Sequence, residues 1–192
     1  MRTLLRISEM LDGLLGIVAR IMGWCFLFTM IVICFDVITR KFGFQLELFG
    51  IDLGSTRLQE LEWHLHAFLF LSWIAFCYVQ NAHVRIDVFT AGLSARRQAW
   101  LELLGCLVFA LPYVLVAFPY AWDFFIDSWY QNEASAAPNG LPARYIVKFF
   151  LAYAFTSVLA AVISVFIRRF VFLFGSESDA RAAMPDASST AH

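Results

Sequence analysis

Gln59, Glu60, Glu62, His64 and His66 fall within eight consecutive positions, the place in this chain where titratable side chains crowd together. Carboxylates and imidazoles at that spacing relay protons or bind a cation when they sit inside a membrane. At headgroup depth the same residues do less: acidic groups near a helix start offset the positive end of its dipole. His66 is the deepest of the set by about a turn and the one placed to meet a neighbouring helix. Haem ligation is the other chemistry histidines offer here, and it needs imidazoles at matched depth on facing helices. His64, His66 and His83 belong to one apolar stretch and its ends, and His192 is far away near the end of the chain, so no facing pair is visible. Asp36 and Arg40 stand four apart and can pair on one helix face. Cys25, Cys34, Cys77 and Cys106 lie inside apolar runs without a CxxC spacing, which reads as small hydrophobes rather than a metal or disulfide set. No Gly-rich nucleotide loop, metal-ligand spacing or Ser/His/Asp set appears, so an enzyme reading has no support and no cofactor is expected.

The elements that position these residues are four long apolar stretches with charges held near their ends. Ile21–Thr39, between Arg20 and Arg40, contains a single charge, Asp36, and Phe149–Ile167, between Lys148 and Arg168, contains none. A helix rises about 1.5 Å per residue, so each such stretch covers roughly the hydrocarbon core of a bilayer. Residues 61–82 and 101–122 complete the set, with Glu102 at the start of the latter and Pro112 and Pro119 set to kink it. The chain has 192 residues, 61% apolar and only 15% charged, where a soluble domain carries about 25% charge. Four spans leave enough chain for loops and a tail, not for a second soluble domain. A net charge of −1 argues against nucleic acid as a partner.

The expected fold is therefore an all-α integral membrane protein with four transmembrane helices, at about 21–39, 61–82, 101–122 and 149–167, in one membrane domain over 1–174. The N-terminal stretch carries Arg2, Arg6, Glu9, Gly13, Gly16 and Arg20 at spacings of three or four with apolar residues between them. That predicts an amphipathic helix, lying on the membrane surface or leading directly into the first span, and does not resemble a cleaved signal peptide. In the first outer loop, Leu46, Leu48, Phe49, Ile51 and Leu53 alternate with Glu47 and Asp52, and a short interfacial helix is the expectation there. The loop over 128–144 carries Pro138, Asn139, Gly140 and Pro142 and should turn. The small, polar residues 175–192 are expected to be a disordered tail.

Orientation follows from basic residues. Arg2, Arg6, Arg85, Arg96, Arg97, Arg168, Arg169 and Arg181 fall on one side, and Arg40, Lys41, Arg57, Arg144 and Lys148 on the other. Eight against five puts both termini in the cytoplasm. Trp63, Trp100, Trp122 and Trp129 mark the span borders, as membrane-interface tryptophans do. On the fourth span Ala152, Thr156, Ala160 and Ser164 recur every four residues, a small-residue face suited to close helix packing within this chain or against another subunit.

Three segments resemble a known family. NAHVRIDVFTAGLSARR (Asn81–Arg97) is similar to the cytoplasmic loop of the small membrane subunit of tripartite ATP-independent periplasmic (TRAP) transporters, NGLPARYIVK (Asn139–Lys148) to the lead-in to that family's fourth span, and LQELEWHLHAFLFLSWIA (Leu58–Ala75) to the acidic start of its second. The resemblance covers roughly residues 10–172. It implies a non-catalytic accessory subunit in the bacterial inner membrane, bound to a large multi-span subunit that holds the solute and sodium sites. A periplasmic solute-binding protein would deliver the solute, usually an organic acid. On that footing His83, Arg85, Asp87, Arg96 and Arg97 shape the cytoplasmic loop, and Gly140, Leu141, Pro142 and Arg144 the periplasmic one. Glu60, Trp63, His66 and the small-residue face then become candidates for subunit contact or packing. The alternative is a haem-holding membrane anchor of a redox enzyme.

Overall fold

A computed structural model describes residues 1–42, 47–48, 51–52, 55–82 and 92–183. The helices are α1 (Arg2–Met22), α2 (Trp24–Phe42), α3 (Ser55–Val79), α4 (Ala95–Gly105), α5 (Leu111–Tyr130), α6 (Tyr145–Phe174) and α7 (Glu177–Ala183). Two short strands, β1 (Glu47–Leu48) and β2 (Ile51–Asp52), pair antiparallel with Glu47 opposite Asp52 and Leu48 opposite Ile51. The interfacial helix expected in the first outer loop is thus replaced, where that loop is described, by a short antiparallel strand pair. Alternating apolar and charged residues of period two suit a strand pair as well as a helix face, and here the strand pair won.

Among the described residues three helical stretches are long and apolar enough to cross a membrane: Arg2–Phe42, Ala95–Tyr130 and Tyr145–Phe174. The sequence predicts four. The α3 helix is present and 25 residues long, yet its first half holds Arg57, Glu60, Glu62, His64 and His66, which dilutes its apolar character. Of the two expectations for the N-terminal helix, it is the one leading directly into the first span that the structure shows. Only Gly23 interrupts α1 and α2, and its amide still reaches the Ala19 carbonyl at 2.9 Å, as a helical residue would. The Trp73 indole N–H donates to that same carbonyl at 2.7 Å.

Between α4 and α5 the backbone widens into a π-helical turn, Cys106–Ala110, where the Leu111 amide reaches back to the Cys106 carbonyl. Pro112 supplies the reason. It has no N–H to give and its ring crowds the carbonyl four residues before it, so the preceding turn relaxes outward. The kink expected at Pro112 takes this form. Pro119 lies inside α5. Beyond Gly175, where a disordered tail was expected, Glu177–Ala183 forms α7.

The chain divides into two compact units whose boundaries fall inside α1, α3, α5 and α6. The first contains Met1–Ile17, Ile74–Ala117 and Thr156–His192, and the second Val18–Trp73 and Phe118–Phe155. In the first unit Leu15 packs on Ala75 and Ala161, Cys106 on Val162 and Val165, Ala99 and Leu103 on Leu173, and Leu5 on Val171 and Ala183. Ala75 and Ala161 are wholly buried, which lets the helix backbones approach closely. In the second unit aromatic rings do this work: Phe68 meets Phe150, Phe125 meets Phe149, and Trp129 meets Tyr145 edge-on at 4.8 Å between centroids.

Candidate functional site: a carboxylate cradle and a polar seam

The loop between α5 and α6 folds back on itself. Its Ser135 amide donates to the Leu141 carbonyl at 3.1 Å and the Arg144 amide to the Glu133 carbonyl at 2.9 Å. Ala137-Pro138-Asn139-Gly140 closes the tip, with the Gly140 amide on the Ala137 carbonyl at 3.0 Å, and Pro138 presets the second position of that turn. Asn132 and Ala143 adopt positive φ (46° and 62°) where the loop leaves α5 and enters α6.

This loop clasps Glu60 of α3. One carboxylate oxygen accepts the Ser135 hydroxyl, the other accepts the Leu141 amide at 2.5 Å, and the Arg144 guanidinium stands 3.8 Å away. Glu60 is only 8% exposed, so these partners are what allow a charge to be buried there. Pro142 biases the preceding Leu141 towards extended backbone. Gly140 is needed for space rather than for its backbone angle. A Cβ there would collide with the Ser135 side chain and come within 2.9 Å of the Glu60 carboxylate. Arg57, one turn before Glu60, donates to the Asn139 carbonyl at 3.2 Å.

Two cations finish the cradle. Arg144 lies 6.0 Å from the Trp63 ring, and Lys148 pairs with Glu133 while its ammonium sits 3.8 Å from the Phe124 ring centroid. The Lys148 hydrogen bond, with the positive charges of Lys148 and Arg144, holds the Glu133 carboxyl below its ordinary value.

The first unit holds a second polar group on facing helices. Ser164 has one proton, and the 2.5 Å approach of its hydroxyl to an Asp12 carboxylate oxygen claims it. The Ser8 hydroxyl, 2.7 Å from the Ser164 oxygen, is then the donor in that pair. Arg168 forms an ion pair with the other Asp12 oxygen at 2.7 Å, and Arg169 pairs with Glu102. These bonds fasten α1 to α6 and α4 to α6. On α1 the inward line is Leu5, Ser8, Asp12, Leu15 and Ala19, while Leu4, Ile7, Met10, Leu14, Ile17 and Ile21 are exposed.

Of the residues singled out from sequence, Glu60, Gly140, Leu141 and Arg144 come together in the cradle with Trp63 beside them. His66 is exposed. On α6, Ala152 and Ser164 are buried, Ala160 is half-buried and Thr156 is exposed. A four-residue step drifts by about 40° per repeat, and beside Ala152 a line of buried small residues runs through Ala154, Ser157, Ala161 and Ser164, stepping three, four, three. Arg96 and Arg97 are exposed on α4, whereas His83, Arg85 and Asp87 lie outside the described residues. Ser135, Glu133, Arg57, Ser8, Asp12 and Arg168 escaped sequence reasoning. The signal for the α1 pair was available, since Ser8 and Asp12 sit in step with Leu5, Leu15 and Ala19 at spacings of three and four.

His64 bears on the haem alternative. Its Nδ1 is hydrogen-bonded to the Glu60 carbonyl, which only accepts, so Nδ1 carries the proton. Its ring lies 3.8 Å from that of Trp63. Among the described residues no three His, Cys, Asp or Glu side chains gather as a metal site.

Apolar helices of spanning length, polar groups spent on pairing within the chain, and a clasped loop define a small helical membrane protein. The family model for tripartite ATP-independent periplasmic transporters, DctQ component, matches residues 29–172, three quarters of the chain, and the protein belongs to this family. It is thus a membrane component of a TRAP transporter, and not an enzyme. No curated protein and no solved structure matches the chain.

Proposed function

We propose that this chain is the accessory small membrane subunit of a sodium-coupled, binding-protein-dependent importer of an organic acid or similar small solute. On this reading it supports a large multi-span transport subunit, cooperates with a periplasmic solute-binding protein, and holds no substrate site of its own. It crosses the bacterial inner membrane four times, with α3 as the second span and both termini in the cytoplasm. The supporting observation is α2. Its buried side chains are Thr29, Asp36 and Thr39, while Trp24, Phe26, Leu27, Phe28, Met30 and Ile31 head a series of exposed large hydrophobics around it. A helix that buries its polar residues and shows its apolar ones has lipid or a partner chain around it. His66, Trp63 and the α6 line at Ala152, Thr156, Ala160 and Ser164 are further contact candidates, and the cradle shapes the loop that faces the periplasm.

Purification in mild detergent tests the reading. A many-span partner should be recovered with this chain, and solute uptake into vesicles should require both chains, a soluble binding protein and a sodium gradient. Uptake by this chain alone would overturn it.

A further inference from the structure

Within the first unit an apolar cleft of about 210 Å³ is lined by Cys106, Leu107, Leu111, Val162, Ile163 and Phe166. The π-helical turn forms one wall, and Leu107 and Ile163 at its rim are 50% and 40% exposed, so the cleft is open at the helix surface. It contributes no polar surface. An apolar void of about 150 Å³ already holds a small hydrocarbon and stays dry, so this one suits part of an acyl chain.

What occupies it is indicated by the same helix. Arg96, Trp100 and Leu107 are separated by four and seven residues, which places them on one face, and all three are exposed. Arg97, also exposed, adds a second cation beside the first, and neither arginine has an ion pair among the described residues. From Arg97 to Leu107 is ten residues, or about 15 Å of helix, half the thickness of the hydrocarbon core. A line running from paired cations through an interfacial tryptophan to an apolar cleft has the dimensions of one leaflet's lipid.

We propose that this face is a binding site for one anionic phospholipid, its phosphate on Arg96 and Arg97 and an acyl chain in the cleft at the π-helical turn. The site does not depend on the transport reading, since it uses only α4, the π-helical turn, α5 and α6.

Native mass spectrometry of the full chain, with any membrane partner that accompanies it, tests this during titration with phosphatidylglycerol or phosphatidylcholine. One phosphatidylglycerol per chain should be retained in preference to phosphatidylcholine. The double substitution Arg96→Gln/Arg97→Gln should weaken retention about 25-fold, about fivefold per lost charge, and the Lys/Lys pair should keep it. Ile163→Trp, which fills the mouth of the cleft, should abolish retention of both lipids. Equal retention of the two lipids, or retention indifferent to either the arginine or the cleft substitution, overturns the proposal. If Ile163→Trp does not accumulate, a phosphatidylglycerol with a photoreactive acyl chain decides on the wild-type protein. Label on Cys106–Leu111 and Val162–Phe166 supports the site, and label confined to other segments overturns it.

Discussion

The cradle of the second unit and the seam of the first each build around one carboxylate, and they hold different things. Glu60 is gripped by a loop: a backbone amide, a serine on the same loop and an arginine at its end. Asp12 is gripped by a helix, since Ser164 and Arg168 are one turn apart on α6. In the cradle the carboxylate supplements the few backbone bonds that hold an irregular loop in shape. In the seam the backbones are already helical, and the carboxylate decides only which helix faces meet. Losing the first should cost conformation, and losing the second should cost register.

The largest expected effect separates the two directly. Glu60→Ala orphans the Ser135 hydroxyl and the Leu141 amide, at about 2–4 kcal/mol together. Hydrogen exchange should accelerate across 133–144 and leave the α1 amides unchanged. Acceleration in α1 instead would merge the two regions into one. Gly140→Ala comes next, at about 1–3 kcal/mol, because the added Cβ must push the Ser135 side chain off Glu60. Its thermal unfolding should fall, and the double variant Gly140→Ala/Ser135→Gly should recover part of the loss.

Asp12→Asn should cost about 1 kcal/mol, discounted because Asp12 and Arg168 are partly exposed. Here the exchange pattern should invert, with faster exchange over Arg2–Met22 and a quiet loop. The smallest effect is a pH dependence at Glu133. Its folded carboxyl is held below the ordinary value, so its contribution is complete at neutral pH and fades as the pH falls through the folded value. The stability advantage of wild type over Glu133→Gln should be flat from about pH 8 to 6 and shrink below about pH 4.5.

The same contrast explains what was legible in the sequence. The long helices were, because uninterrupted apolar runs of spanning length have few other uses. The ends of the cradle were too: the acidic start of α3 and the Asn-Gly-Leu-Pro segment both stood out as motifs. That they touch was not, since Glu60 and Leu141 are 81 positions apart and no periodicity spans such a distance. The Asp12 seam hid for another reason. Arginines and glycines at Arg2, Arg6, Gly13 and Gly16 suggested a polar stripe facing outward, while the inward line carries Ser8 and Asp12 among small and apolar residues. The arginines are exposed as that stripe requires, but polar residues stand on the inward line as well, so amphipathicity alone does not single out Ser8 and Asp12. The π-helical turn followed from a proline that was visible, though the form of its distortion was not.

The Asp36–Arg40 pair has a consequence for the order of assembly. Asp36 is completely buried and its partner stands one turn along the same helix. Thr29 and Thr39 likewise spend their hydroxyls on carbonyls of α2 itself. Each polar side chain that α2 buries therefore has a partner on α2 itself, although the second Asp36 oxygen has none among the described residues, and the α2 backbone is satisfied by being helical. Nothing synthesised later is required to neutralise it. The helix is equipped to enter the bilayer as soon as it emerges from the ribosome, ahead of the clasped loop and the seam, which depend on distant residues.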